Sequence, residues 1–298
     1  MKQEDAVDLS QHFYNAFSQW GEDGIVEKIF DLAAADHGYF VEFGAWDGKY
    51  LSNTYNLVGK GWSGLYIEAD GAKFEVLKTN ISSSNISLVN CYVQPDGPDS
   101  LDNILHRVEA PQVIDVLSID IDSTDLSVWM GVKEHRARCV IIEYNPTIPF
   151  DIEFVCPEGR QWGNGALSIK RFADSANYAL VAITGTNLVF VDRTMATQLA
   201  LAEVDLDTRH SNNVYRYFWG MDGTMLCVDP RLTVQNPETI TIPWHHFVMA
   251  QPMPVWQRVW TGSDHNKRWE QFVSLLQLLI LRPMEFARFI RGRITKTS

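Results

Sequence analysis

The chain predicts an α/β fold: a mostly parallel sheet with helices on both faces over residues 1–195, and an aromatic-rich extension over 196–298. Three observations carry this. Strand-like and helix-like stretches alternate from about residue 20 to 190. The strand-like stretches are nearly continuous apolar runs, the pattern of strands buried on both faces. The first of them ends in a glycine turn of the kind found where sheets meet ligands at their carboxyl ends.

The elements follow in order. Ile25, Val26, Ile29, Phe30 and Ala33 recur at helical spacing, and Gly38 ends that helix. Tyr39–Phe43 reads as the first strand and Gly64–Glu68 as the second, with Phe74, Leu77 and Lys78 on a short helix after it. Ile86–Asn90 is the third strand, and a helix opened by Ser100 or Asp102 carries Leu101, Ile104 and Leu105. Val116–Ile121 and Val140–Tyr144 are the fourth and fifth strands. A helix over Ser168–Ala176 precedes strand-like Tyr178–Ala182 and Leu188–Val191.

Composition excludes several classes. Hydrophobic residues are 46% and charged ones 21%, so the chain is neither disordered nor fibrous. Twenty-five Lys and Arg against 37 Asp and Glu give −12, which disfavours a nucleic-acid partner. Cys91, Cys139, Cys156 and Cys227 form no CxxC pair, so neither a zinc site nor a disulfide framework is expected, and a reducing cytoplasmic setting is. The acidic start Met1–Asp5 lacks the apolar run of a signal peptide, and no apolar run is long enough for a transmembrane segment.

Chemistry concentrates at strand ends. After the first strand, Gly44-Ala45-Trp46-Asp47-Gly48 is a glycine turn. Gly44 allows a sharp bend, and Gly48 is expected to clear room for a ligand. Glu68, with Ala69 and Asp70, sits at the second strand's tip, where an acid grips a ribose diol. The fourth strand ends in Asp120-Ile121-Asp122, whose alternation predicts two carboxylates on one side, needing a cation, a proton or donors. Glu143 and Asn145 close the fifth strand, and converging oxygens of this kind suit Mg²⁺. Asp122 and Asp125 also precede a helix, so one acid is expected to cap it and another to act in the site.

Taken in order, Ser18–Asp23, Gly38–Gly48, Ser52-Asn53-Thr54, Gly61–Asp70, Leu117–Asp122 and Ile141–Asn145 resemble the FkbM-type methyltransferases over roughly residues 18–192. The resemblance implies a class I, Rossmann-like methyltransferase fold that uses S-adenosylmethionine, and often transfers methyl to a hydroxyl of a sugar or natural product. It implies Glu42, Gly44, Ala45, Asp47 and Gly48 around the methionine part, with Asn53 nearby. It implies Glu68, Ala69 and Asp70 at the ribose, Asn90 or Tyr92 near adenine, and Asp120 and Asp122 flanking the methyl. Similarity to metal-dependent O-methyltransferases implies Asp122, Glu143 and Asn145 as ligands of Mg²⁺. One departure stands out: Ser123 replaces the glycine usual after the second aspartate. The expected reaction is O-methylation of a sugar hydroxyl on a glycan or glycosylated metabolite. N-methylation of a small molecule or peptide is the alternative within the class, and a non-catalytic cofactor-binding module the alternative outside it.

The remaining candidates are less specific. His245 offers a general base beside His246, though paired histidines among aromatics more often pack. His135 is expected on the surface. Trp244, Trp256, Trp260 and Trp269 suit either sugar stacking or a packed cap. Residues 282–298 carry five basic residues and one acid, a net of +4, leaving −16 on the rest. With the apolar run Val273–Leu281 before it, this tail fits a peripheral membrane contact or a homo-oligomer contact with a second copy.

Overall fold

The computed structural model describes residues 6–146, 148, 150–206, 216–219, 225–228, 248–249 and 279. The chain divides into two compact units, 1–211 and 212–298.

The first unit is built on a seven-stranded sheet: β1 (Tyr39–Phe43), β2 (Ser63–Glu68), β3 (Ile86–Asn90), β4 (Val113–Ile119), β5 (Arg136–Glu143), β6 (Tyr178–Ile183) and β7 (Asn187–Asp192). Their order across the sheet is β3-β2-β1-β4-β5-β7-β6. All pairings are parallel except the two made by β7. The order reverses between β1 and β4, and ligand crevices open at the carboxyl ends of such a switch point.

Alternate side chains of the strands feed two cores. Val41, Phe43, Leu65, Ile67, Leu117, Ile119, Val140 and Ile142 pack on one face against α4 (Leu101–Arg107), α5 (Asp125–Gly131) and α6 (Ala166–Ser175). Phe40, Tyr66, Val116, Cys139 and Ile141 pack on the other against α1 (Glu22–Leu32), α2 (Tyr55–Gly59), α3 (Gly71–Asn80) and α7 (Arg193–Gln198). Burial on both faces explains the apolar strand runs.

Local chemistry sets the helix starts. Asp70 caps α3 by accepting from the amides of Ala72 (2.8 Å) and Lys73 (3.0 Å), and these bonds hold its carboxyl below the usual range. Ser100 caps α4, as one of the two expected residues. Apolar periodicity does not predict α2 or α7, because five or six residues are too few to show a period. Asp192 caps α7 through the amides of Thr194 and Met195.

His135 is buried, contrary to the surface expectation. Its Nδ1 lies 2.7 Å from Asp102 Oδ1, and Asp102 also accepts from the amides of Lys133, Glu134 and His135. Four donors on one carboxylate make burial of this polar latch tolerable.

The second unit contains an antiparallel sheet of β8 (Arg216–Trp219), β9 (Met225–Val228) and β10 (Val248–Met249), in the order β10-β9-β8. His245, Trp244, Trp256, Trp260, Trp269 and the tail 282–298 lie outside the described residues. No helix among the described residues is long and apolar enough to cross a membrane.

Candidate active site

The carboxyl ends of β1, β2, β4 and β5 bring the sequence-derived candidates to one end of the sheet. Gly44 follows β1 with φ of 77°, and its own amide and that of Ala45 both donate to Ile67 O on β2. On its other side a Cβ would run into the carbonyl oxygen of Asp120. Gly44 is therefore required by the approach of two strand ends at the switch point, and it remains exposed there.

Gly48 has a different reason from the one expected. It is buried, and a Cβ there would press on Leu77 and, at 3.0 Å, on Ile81. The room it clears is filled by α3 and its C-terminal neighbour rather than left for a ligand. Asp47 shapes the same turn by accepting from the amides of Lys49 (2.9 Å) and Tyr50 (2.7 Å), while Asn80 Nδ2 donates to its carbonyl.

Glu42 points beneath the turn. Its carboxylate accepts from Ser52 Oγ (2.7 Å), Thr54 Oγ1 and the amide of Asn53 (3.2 Å), and Asn53 Nδ2 donates to Ser118 Oγ on β4. Burial pushes the Glu42 carboxyl up, against these donors, which favour the ionised form. Ala45 is buried with this layer. Glu42, Ala45 and Asn53 thus form the floor of the turn.

Glu68 joins two loops. The amide of Trp46 donates to its Oε2 at 2.7 Å and the amide of Asp70 to its Oε1 at 2.8 Å. Asn90 Nδ2 donates to the carbonyls of Glu68 (2.7 Å) and Ala69 (3.1 Å), which ties β3 to the same corner. Ala69, Asp70, Asn90 and Tyr92 form an exposed lip around it.

The acids after β4 and β5 form a cluster. Ligand oxygens of Asp120, Asp122 and Glu143 lie within 4.8 Å of one another. Strand alternation does not bring them together, since β4 ends at Ile119. A turn does, with Asp122 in the left-handed region at φ 56°. The left-handed position is 122 and not 123, so Ser123 fits without glycine. Its buried hydroxyl has no hydrogen-bond partner among the described residues. Asp125 opens α5 and holds the turn by accepting from the amides of Ile121 (2.7 Å) and Ser123 (3.0 Å).

Asp120 is exposed at its surface yet closely surrounded by protein. Crowding, then the charges of Asp122 and Asp125, raise its carboxyl to about 7. Burial raises Asp125 to about 6. Burial and the neighbouring aspartates drive Glu143 well above the usual range, and Glu143 shares a hydrogen bond with Asp120. Asn145 follows the end of β5 two residues after Glu143, and its Nδ2 donates to Trp162 O at 2.6 Å.

Two residues here escaped the sequence reading. Asn164 is fully buried. It accepts from the amide of Cys156 and donates to Ser123 O, pinning the segment after β5 onto the Asp122 turn. Its only signal is the surrounding Gly163 and Gly165. Trp46 is exposed in the middle of the glycine turn, with φ of 49°. An aromatic residue between two turn glycines was its signal.

No protein-family model matches the chain, and no curated protein matches it. Solved structures with a similar chain path include an O-methyltransferase from Bacillus cereus in complex with S-adenosylhomocysteine (14% identity, 61% of this chain and 83% of that one, TM-score 0.39). A TehB-like S-adenosylmethionine-dependent methyltransferase from Corynebacterium glutamicum matches at 13% identity over 62% and 92% of the chains, TM-score 0.37. For M. capricolum TrmK with S-adenosylhomocysteine the identity is 12%, the TM-score 0.34, and this chain spans 55% of itself and 66% of TrmK. Likeness at this level says nothing of what the chain acts on. The strand order with β7 alone antiparallel is that of the class I, Rossmann-like methyltransferase fold.

Proposed function

We propose that the chain is an S-adenosylmethionine-dependent methyltransferase acting on an acceptor oxygen, a sugar hydroxyl of a glycan or glycosylated metabolite. The observation that carries the reading is the meeting, at one switch point, of exposed Gly44, the Glu68 corner and the Asp120–Asp122–Glu143 oxygens. The acceptor class rests on the likeness of the motifs to FkbM-type enzymes.

The residues fit a nucleoside. Each Glu68 oxygen takes one backbone amide and keeps a second lone pair for a ribose hydroxyl. Ala69, Asp70 and Asn90 supply the lip around the base, and Gly44 bends the chain clear of the cofactor's path. Glu42, Ala45, Asp47, Gly48 and Asn53 hold that bend from below. When bound, the cofactor supplies a methyl on a sulfonium, already a strong donor. The protein's task is alignment and deprotonation. Asp120 takes the acceptor's proton, since a carboxyl raised to about 7 both accepts and releases protons near neutrality. Glu143 donates a hydrogen bond to it and steadies the ionised form.

The same oxygens form an all-carboxylate donor set that suits a hard divalent ion. Asp122 and Glu143 would hold Mg²⁺ with Asp120 or the Asn145 carbonyl, and the ion would lower the pKa of the acceptor hydroxyl. Calorimetry with S-adenosylmethionine tests binding, and methyl transfer to candidate glycans with and without EDTA tests turnover. No heat of binding would remove the cofactor reading. Full turnover in EDTA would remove the metal and leave Asp120 as the base.

A further inference from the structure

The indole of Trp46 already carries a cation. Lys73 Nζ lies 4.5 Å from its ring centroid, and Tyr50 meets the ring in a T-shaped contact at 5.6 Å. Trp46 is held in a left-handed conformation that a bulky residue adopts at a cost, and such conformations persist where surrounding structure enforces them. Here the enforcing bond is its own amide on Glu68 Oε2. Trp46 is 48% exposed, so packing of the core does not explain its place.

Trp46 is thus tied through its backbone amide to the carboxylate assigned to the ribose, and its exposed ring is an aromatic face that already accepts a cation. In S-adenosylmethionine the sulfur hangs one carbon from that ribose. Methyl transfer converts a sulfonium of charge +1 to a neutral thioether, so the loss of the methyl cation is the sole chemical difference between cofactor and product. An aromatic face attracts the first and is indifferent to the charge of the second.

We propose that Trp46 is a specificity-determining residue of the cofactor site, its indole favouring the charged cofactor over the neutral product, with Lys73 competing for the same ring. The inference rests on the cofactor reading above. It gives the glycine turn a role in product release, because the attraction to Trp46 ends when the methyl leaves.

The test needs no acceptor. Calorimetry is run with S-adenosylmethionine and S-adenosylhomocysteine on the full chain, on Trp46→Leu, on Trp46→Phe and on Lys73→Met. In Trp46→Leu the ratio of the two Kd values should shift about 3- to 10-fold against the charged ligand, with S-adenosylhomocysteine binding held within twofold as proof of folding. Trp46→Phe should keep part of the preference, and Lys73→Met should increase it. Equal weakening of both ligands in Trp46→Leu makes the ring an apolar wall and overturns the inference while leaving the cofactor reading intact. An unchanged ratio overturns it as well. Failure of the unmodified chain to bind either ligand sinks the cofactor reading and the inference together.

Discussion

The backbone of Gly44 lies against the carbonyl oxygen of Asp120, so closely that a methyl group on Gly44 would occupy the oxygen's place. This contact joins the glycine turn to the acidic turn. Neighbouring β1 and β4 pair in register as far as Phe43 and Ile119, and the next residue on each is Gly44 and Asp120.

Gly44→Ala should therefore cost about 2–5 kcal/mol of stability, from left-handed strain and backbone overlap together. Gly48→Ala meets side-chain atoms of Leu77 and Ile81, which can give way. A second substitution, Leu77→Ala, should leave Gly44→Ala unrelieved. In the Gly48→Ala background its own cost should shrink. Urea unfolding of the three single variants and the two doubles checks this, and equal behaviour at both glycines would contradict it.

Glu68→Ala should weaken S-adenosylmethionine binding by ~1.5–3 kcal/mol, the worth of charge-assisted hydrogen bonds. It also frees the amides of Trp46 and Asp70, so protection of both against hydrogen exchange should fall. Unchanged affinity by calorimetry would take Glu68 out of the site.

Stability should fall as pH rises from about 4 to 7. Asp120 and Asp125 titrate at about 7 and about 6, and Glu143 is raised too, so the folded chain holds protons that the unfolded chain has released. Melting temperatures at pH 5 and pH 8 should show the drop, and Asp120→Asn should flatten it. If the cluster binds a divalent ion, Mg²⁺ should restore the melting temperature at pH 8 and not at pH 5. A melting temperature that is level with pH would refute the crowded-acid description.

Asp102→Ala should cost about 2–4 kcal/mol, because it strands three backbone amides and the His135 ring among buried surroundings. Cofactor affinity should be unaffected, since the latch lies between α4 and the start of β5. Denaturant unfolding and calorimetry on one preparation read both.

The sequence by itself located the seven strands of the first unit, their order along the chain and the positions of Gly44, Glu68, Asp120, Asp122 and Glu143 at or just beyond strand ends, while β8, β9 and β10 left no pattern that was read. Apolar runs and turn glycines are local signals, and burial on both faces writes them directly into the residue pattern. The tertiary structure decided what each polar group faces. Strand alternation predicted Asp120 and Asp122 side by side, but a left-handed residue beyond the strand brings them together. Gly48 reads as ligand room in sequence and is packing room against α3. Glu42 reads as a cofactor acid and lies under the turn, while His135 reads as surface and is latched to a residue 33 positions earlier. Each of these depends on contacts between segments distant along the chain. A carboxylate carries no mark in sequence of whether its donors come from a ligand or from a neighbouring loop.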